Sequence, residues 1–273
     1  DTSRVVTAGC NEVNPANHLF RSDALDVLGF NYHEQYLEPF LRNFPGRKLI
    51  VSESTSALMT RGYYEMPSDH IYIRPESWDK PFEAPEHVCS SYDNCHVPWG
   101  STHEKTWHLV KTLPHVSGLF VWTGFDYLGE PTPYWWPSRS SFFGIVDLAG
   151  FPKDVYYMYK SEWTDEPVLH IFPHWNWKEG ERVDIWAYYN NADEVELYLN
   201  GKSLGVRQKT DSTYHVSWRV PFTPGTLRAV SRLGGKEVLV KEIHTAGEPA
   251  RLVLTPDRSV IQADGSDLSF VTV

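Results

Sequence analysis

Two uninterrupted apolar runs constrain the fold of this chain more than any other feature. Residues 49–51 read Leu-Ile-Val, and residues 118–122 read Gly-Leu-Phe-Val-Trp. Apolar runs without alternation are typical of strands that are buried on both faces, as in a parallel sheet. The first run is closely followed by Glu53, and the second ends at Trp122 and leads to Asp126. The sequence therefore predicts two parallel strands that present polar and aromatic side chains at their carboxyl ends.

Residues 1–163 are predicted to alternate between strands and helices. The predicted strands cover 4–8, 26–32, 48–53 and 118–127, and a helix is predicted over 103–113 with Ser101 or Thr102 as its cap. Four such units amount to half of a closed (β/α)8 barrel, in which catalytic side chains lie at the carboxyl ends of the strands. The segment 60–100 is too long for a simple connector and is predicted to be a functional lid.

The pattern changes near residue 164, after which only short strands and turns follow. Strands are predicted at 182–188, 194–199, 214–220, 226–233 and 237–244. Asn200-Gly201, directly after the second of these strands, is a strong hairpin signal. Strands at this spacing predict an immunoglobulin-like β-sandwich over residues 164–247. Residues 248–273 are predicted to be the start of a further β domain, so the fold class is α/β followed by all-β.

Both ends of the chain are expected to continue in a larger protein. Half a barrel leaves open edges of parallel sheet, and residues 270–273 would leave an unpaired strand edge. The first residues have no secretory-signal pattern. Export to the periplasm or the cell exterior is the expectation, and only residues upstream of Asp1 could show it.

Composition favours carbohydrate over nucleic acid or membrane as the partner. The formal net charge is −10, whereas nucleic-acid binding needs clustered Lys and Arg. No apolar run reaches the roughly eighteen residues of a membrane span. The chain holds 11 Trp and 15 Tyr, and these rings combine a flat apolar face with a polar edge. They suit contact with sugars; the alternative is that they fill the core and cover a sheet surface.

The sequence predicts neither a metal nor a cofactor. Cys10, Cys89 and Cys95 form no metal-binding pattern, and His170 and His174 lack ligand spacing. Cys89 and Cys95 could close a small loop, although the residues between them, 90–94, equally fit a plain surface turn. Free thiols are the favoured state.

Several longer motifs resemble glycoside hydrolase family 2, specifically its bacterial β-galactosidase-like branch. The resemblance extends over nearly the whole chain and is most specific at 120–134 and 143–154, which read Phe-Val-Trp-Thr-Gly-Phe-Asp-Tyr-Leu-Gly-Glu-Pro-Thr-Pro-Tyr and Phe-Gly-Ile-Val-Asp-Leu-Ala-Gly-Phe-Pro-Lys-Asp. The other matching segments are 4–9, 29–33, 51–54 and 195–205. By this resemblance the four predicted strands are the fifth to eighth of a TIM barrel, and the sandwich is the domain that follows it.

The resemblance places Glu53 where the family carries its catalytic nucleophile. It places Tyr32 where a tyrosine hydrogen-bonds that nucleophile, and Trp122 where an aromatic ring supports the sugar. Ser56 stands where well-known β-galactosidases often carry His, which leaves the exact sugar open. The further candidates for substrate contact are Asn31, His33 and Asp126, of which His33 could instead support its neighbour and Asp126 could instead cap the following turn.

The reaction that this resemblance implies is hydrolysis of terminal, non-reducing β-D-galactosides, derived from oligosaccharides or polysaccharides, by a retaining exo-β-glycosidase. Such enzymes need two carboxyl groups about 5 Å apart, one as nucleophile and one as acid/base. Asn11-Glu12 matches the family's acid/base pair in sequence, but it follows the strand at 4–8 and lies in a loop of Gly, Asn and Pro. Glu12 is therefore predicted to be a rim residue, with the acid/base upstream of Asp1.

Two other functions fit the same residues. A non-catalytic carbohydrate-binding protein would keep the aromatic shelf without the acid/base. A family 2 enzyme for a β-glucuronide or a β-mannoside would keep the nucleophile, but a uronic acid needs a cation, and the candidates are Arg61 and Lys153. Trp135 and Trp136 would either line a distal subsite or pack under their loop. The β domains would scaffold the barrel or pair subunits in a homo-oligomer.

Overall fold

The computed structural model describes residues 3–77, 79–80 and 82–273. Up to residue 163 the elements are, in chain order, β1 (Thr7–Cys10), α1 (His18–Arg21), β2 (Val27–Asn31), a 3₁₀ turn (Glu34–Tyr36), α2 (Phe40–Asn43), β3 (Leu49–Thr55), β4 (Tyr72–Ile73), β5 (Cys95–His96), α3 (His103–Thr112), β6 (Val116–Trp122) and α4 (Asp154–Trp163). They are followed by β7 (Leu169–Phe172), β8 (Arg182–Tyr189), β9 (Glu194–Leu199), β10 (Lys202–Arg207), β11 (His215–Pro221), β12 (Thr226–Leu233), β13 (Lys236–His244), β14 (Thr255–Pro256) and β15 (Val271–Thr272).

Four strands form an all-parallel sheet in the order β1-β2-β3-β6. Phe30 of β2 lies opposite Val51 of β3, and Val51 lies opposite Leu119 of β6. Phe30 and Val51 have no exposed surface, and burying each such side chain contributes roughly 1.5–3 kcal/mol. The parallel strands predicted from the apolar runs are thus confirmed. Because the strands are parallel, their carboxyl ends meet at one edge of the sheet.

The bounds of all four parallel strands differ from the prediction, most of all those of the first and the last. The first begins at Thr7 and not at residue 4, and the last ends at Trp122 and not at residue 127. Beyond Trp122 the backbone leaves the sheet because it pairs with a later segment: the Thr123 N–H donates to the Phe143 carbonyl at 3.2 Å. The loop after β6 is therefore fixed against residues 143–146 and does not extend the strand.

Helix α3 is confirmed, and its N-terminus is capped twice. The Thr102 hydroxyl accepts from the Lys105 N–H at 3.4 Å, as one of the two predicted caps. The Asp93 carboxylate accepts from the N–H groups of His103 and Glu104 at 2.8 and 2.7 Å. Two caps satisfy backbone donors that a helix N-terminus leaves without intrahelical partners.

The second half of the chain forms two antiparallel sheets that pack on each other. Their strand orders are β10-β9-β12-β13 and β11-β8-β7. The hairpin between β9 and β10 turns at Asn200 and Gly201, which have φ of 50° and 79°, as a two-residue turn of this type requires. Between the sheets lies a core in which Trp175, Ile185 and Leu197 are fully buried. The predicted strands and hairpin are confirmed, and β14 pairs only with β15 in the exposed segment that follows.

Within the segment 60–100, residues 90–97 pack between the end of β3 and the antiparallel sheets. Tyr92 is fully buried, donates a hydrogen bond to the Asp184 carbonyl and packs on the Trp186 ring with 5.2 Å between centroids. The Ser68 N–H donates to the Asp184 carboxylate at 2.8 Å. Residues 90–94 are all buried, so the prediction of a plain surface turn is wrong. This part of the segment is packed between two layers of the molecule and does not form a lid.

The three cysteines are buried free thiols, which confirms the predicted state. In the part of the chain that the structure describes, no three His, Cys, Asp or Glu side chains are grouped to hold a metal ion. No helix among the described residues is long and apolar enough to cross a membrane.

Candidate active site

A chain of three hydrogen-bonding side chains lies at the carboxyl edge of the parallel sheet. The Tyr32 hydroxyl donates to Glu53 Oε2 at 2.9 Å, and the Ser56 hydroxyl donates to the Tyr32 oxygen at 2.9 Å. Tyr32 also donates its backbone N–H to the Glu53 carbonyl at 2.7 Å. Glu53 is partly buried, whereas Ser56 is buried. The structure therefore brings Glu53 and Tyr32 together and adds Ser56 as a third member.

The backbone around these side chains turns in an unusual conformation. Tyr32, His33, Thr55 and Ser56 have φ of 57°, 58°, 75° and 53°, in the left-handed region that non-glycine residues rarely adopt. The loop after β5 holds this turn, because the Ser101 N–H donates to the Thr55 carbonyl at 2.7 Å. These turns let the ends of β2 and β3 direct the Tyr32 and Ser56 side chains toward each other.

Electrostatics keep the Tyr32 phenol protonated. Burial raises the pKa of Tyr32 well above its ordinary value; the Ser56 hydroxyl opposes this shift, and the Glu53 charge adds to it. A phenol that holds its proton is a hydrogen-bond donor, and Glu53 is its acceptor. The arrangement therefore supplies a permanent donor to one oxygen of Glu53 and leaves the other free of that contact.

Trp122 lies at the end of the neighbouring strand, and its loop adds a second polar group. Its residue partner across the ladder is Thr55, two positions beyond Glu53. The Trp122 ring meets the Tyr127 ring edge to face at 6.0 Å, and the Tyr127 hydroxyl donates to the exposed Glu130 carboxylate. The site thus joins a carboxylate, a phenol and an indole from three adjacent elements.

Asp126 is engaged by other groups of the protein. Its carboxylate pairs with Lys153 Nζ at 2.7 Å and accepts from the Gly144 N–H at 2.8 Å. Lys153 is 1% exposed and donates to the Met59 carbonyl at 2.7 Å. Burial raises the pKa of Asp126 and lowers the pKa of Lys153. These contacts occupy the Asp126 carboxylate within the protein and tie the loop after β6 to Gly144 and Lys153.

Asn31 and His33 flank Tyr32 with different surroundings. Asn31 is buried, and its Oδ1 accepts from the Ser52 hydroxyl at 2.8 Å. His33 is partly exposed and lines a cavity of about 520 Å³ together with Trp99 and Lys105. Asn31 is thus tied to β3 directly beside Glu53, and His33 opens toward the loop that precedes α3.

Glu12 lies beyond the end of β1 in an exposed loop. Its carboxylate accepts from the Asn14 side-chain amide at 2.8 Å, and its carbonyl accepts from the Asn17 side chain at 2.6 Å. These bonds stay within the loop, so Glu12 is held by its sequence neighbours.

Sequence reasoning missed the contact of Ser56 and the role of Gly100. Ser56 stood out only as a departure from a family pattern, and Gly100 gave no signal. A Cβ atom on Gly100 would lie 2.4 Å from the Thr55 carbonyl and 3.0 Å from the Ser56 carbonyl. The residue must be glycine because the backbone passes so close, and that approach is visible only in three dimensions.

Comparisons with known proteins identify relatives of this chain. Residues 180–239 match a family described as a domain of unknown function, DUF4982. The whole chain is 62% identical to a protein of Bacteroides ovatus named beta-galactosidase BoGH2A, and 92% of it is 33% identical to a putative beta-glucuronidase of Formosa agariphila. The chain spans 32% and 26% of these two relatives.

Solved structures that resemble this chain are also glycosidases. A beta-glycosidase of Bacteroides vulgatus matches 97% of the chain at 32% identity and a TM-score of 0.79, over 35% of that protein. A glycosyl hydrolase family 2 member of Bacteroides cellulosilyticus matches 99% of the chain at 28% identity and a TM-score of 0.68, over 34% of that protein. The chain belongs to glycoside hydrolase family 2.

Proposed function

We propose that this chain carries the nucleophile side of the active site of a retaining exo-β-galactosidase. The observation that carries the proposal is the hydrogen-bonded series Ser56–Tyr32–Glu53 at the carboxyl edge of a parallel sheet. A carboxylate at this edge, with an indole on the adjoining strand, suits attack on a sugar ring. The 62% identity over the full chain to a protein named beta-galactosidase supports the same activity.

The proposal includes a more specific architecture. Residues 1–163 form the C-terminal half of a (β/α)8 barrel, with β1, β2, β3 and β6 as its fifth to eighth strands. Residues 164–247 form the β-sandwich that follows the barrel, and residues 248–273 begin a further β domain. In this arrangement Glu53 lies near the end of the seventh barrel strand, on the face where barrel enzymes carry their catalytic residues.

Glu53 attacks the anomeric carbon and forms a covalent glycosyl-enzyme. Tyr32 donates to one carboxylate oxygen and directs the other toward the sugar, while the Trp122 ring supports the apolar face of the pyranose. The second carboxyl group protonates the leaving oxygen and then activates water. We assign it to a residue outside this chain, because Asp126 is paired with Lys153 and Glu12 is bonded within its own loop.

Galactose is favoured over a uronic acid because both candidate cations are already paired. Arg61 Nε lies 2.6 Å from an Asp147 oxygen, and the guanidinium stacks on the Phe151 ring at 4.8 Å. Lys153 is buried against Asp126. Neither the Arg61 nor the Lys153 side chain is therefore available to pair with a sugar carboxylate. The exposed Glu130 adds negative charge beside Tyr127.

The experiment is hydrolysis of a panel of nitrophenyl glycosides by the full-length protein, compared with its Glu53→Gln variant. We expect activity on the β-galactoside and a loss of at least about a thousand-fold in the variant, since the covalent step needs an ionised carboxylate. A 2-fluoro-galactoside should label Glu53 in the wild type. The matched control is Glu12→Gln, which should retain activity within a few-fold.

Each outcome has a distinct meaning. Activity on another glycoside that is still lost in Glu53→Gln would keep the mechanism and change the sugar. Loss of several orders of magnitude in Glu12→Gln would overturn the placement of the acid/base outside this chain. Galactose binding without hydrolysis of any glycoside would mean that the protein binds carbohydrate and is not a glycosidase.

A further inference from the structure

Two adjacent tryptophans in the loop after β6 are strongly exposed. Trp135 and Trp136 are 66% and 74% exposed, so they do not pack under their loop, which was one of the two roles predicted for them. Large aromatic rings are seldom left in water side by side without a reason, because their burial is worth more than that of most side chains.

The backbone that carries these rings is firmly anchored. Tyr134 is 2% exposed, and its hydroxyl donates to the Val88 carbonyl at 2.6 Å. The Phe82 N–H donates to the Pro133 carbonyl at 3.0 Å, and Ser138 Oγ lies 2.8 Å from His87 Nδ1. Two rings on a fixed backbone form a surface that loses little conformational entropy when a ligand binds.

The rings line a groove whose chemistry suits a sugar. Its volume is about 500 Å³, within the range of small-molecule sites, and its wall also includes Glu83 and His87. Indole faces pack on the C–H face of a pyranose, while a carboxylate and an imidazole can bond its hydroxyls. The Arg139 guanidinium lies 4.6 Å from the Trp136 ring centre and steadies that ring by a cation–π contact.

The groove and the candidate active site share one loop and one hydrophobic cluster. Tyr134, next to Trp135, belongs to the same hydrophobic cluster as Trp122 and Tyr127. The loop that begins at Trp122 therefore ends at the two tryptophans, with one packed cluster beneath it. The position of the two tryptophans is thus tied to that of Trp122 by shared packing.

From these observations we infer that Trp135 and Trp136 bind the part of the substrate beyond the cleaved galactose. The inference rests on the proposed function and names its substrate class: oligosaccharides in which a terminal β-galactoside is joined to at least one further sugar. The groove acts as an aglycone subsite, and its affinity comes from stacking.

The test compares two substrates of the full-length protein, a galactosylated oligosaccharide and nitrophenyl β-galactoside. In the double variant Trp135→Ala, Trp136→Ala, the ratio of kcat/KM for the oligosaccharide to kcat/KM for the nitrophenyl substrate should fall about ten-fold. Most of the fall should be in KM for the oligosaccharide. Phe270→Ala, which removes a 71% exposed ring from the C-terminal segment, is the control and should leave the ratio unchanged.

Two results would overturn the inference. An unchanged ratio would mean that the rings do not touch the substrate, as when another segment of the full-length protein covers them. An equal loss on both substrates would mean that they support the site as a whole. If the wild type hydrolyses neither substrate, the proposed function fails separately, and titration of the oligosaccharide into wild type and double variant decides: weaker binding in the variant supports the groove, and equal binding refutes it.

Discussion

At the scale of single residues, the direction of one proton decides how Glu53 is held. A phenol has one proton and donates it to one acceptor. Because the Ser56 hydroxyl donates to the Tyr32 oxygen, the phenol proton is left to point at Glu53. The serine therefore acts through Tyr32 as a positioning residue.

Replacing Ser56 by Ala should lower kcat/KM about three- to ten-fold, the value of one hydrogen bond of this kind. The rate at which a 2-fluoro-galactoside labels Glu53 should fall by the same factor, which a purely structural loss of folded protein would not produce. Ser56→Gly is the matched variant, since it also lacks the hydroxyl but relaxes the left-handed backbone at φ 53°. If glycine restores the labelling rate, backbone strain and not the hydroxyl is what the serine supplies.

At the scale of elements, the end of β3 depends on a segment 45 positions later in the chain. The loop at Gly100 packs directly on the carbonyls of Thr55 and Ser56, and the Ser101 N–H bonds the first of them. The strand is formed by its own apolar residues, but the position of its last turn is set by this crossing. The element that carries the candidate nucleophile is thus completed from outside.

A methyl group at Gly100 should disturb this crossing. The added Cβ of Gly100→Ala would lie 2.4 Å from the Thr55 carbonyl, so the turn at Thr55 and Ser56 must shift. We expect kcat/KM on nitrophenyl β-galactoside to fall at least about ten-fold, because misplacement by a fraction of an ångström weakens catalysis strongly. Circular dichroism should show a folded protein. Gly247→Ala, with nothing within 4 Å of the new Cβ, should be neutral; equal activity in both variants would contradict the argument.

At the scale of the whole molecule, the parallel and antiparallel parts are joined through a buried carboxylate. Asp184 of β8 accepts from Arg219 at 2.5 and 2.8 Å and from the Ser68 N–H of the inserted segment at 2.8 Å. Burial alone would raise the pKa of Asp184, but the Arg219 guanidinium and the Ser68 donors outweigh it and hold that pKa below its ordinary value. The ionised form is therefore the one that stabilises the junction.

The substitution Asp184→Asn should lower the free energy of unfolding at pH 7 by about 1–3 kcal/mol, discounted because Arg219 is partly exposed. A carboxyl with a lowered folded-state pKa stabilises above its unfolded value near 3.8, and this stabilisation is lost as pH falls through the folded value. The melting temperatures of wild type and variant should therefore converge below about pH 4. A gap that stays constant from pH 7 to pH 3 would rule out the ionised carboxylate as its cause. Asp211→Asn, at an exposed position, should have little effect.

Local patterns determined much of this protein. The apolar run 49–51 predicts a buried strand, the sequence before α3 predicts Ser101 or Thr102 as its cap, and Asn200-Gly201 predicts a hairpin. The structure contains the strand, a cap at Thr102 and the hairpin. Each depends on residues that are close in sequence, where periodicity, capping and backbone preference act directly. Tyr32 and Glu53 were joined only through the resemblance to a family.

The tertiary structure decided what depends on distant residues. Three features depend on parts of the chain that lie more than twenty positions apart. They are the hydrogen bond from Ser56 to Tyr32, the ion pair of Asp126 with Lys153, and the packing that buries residues 90–94. No periodicity records such contacts, because they follow from how sheets, loops and helices pack on one another. The sequence by itself thus determined the elements and the residue types at their ends, and packing alone decided which of those residues meet.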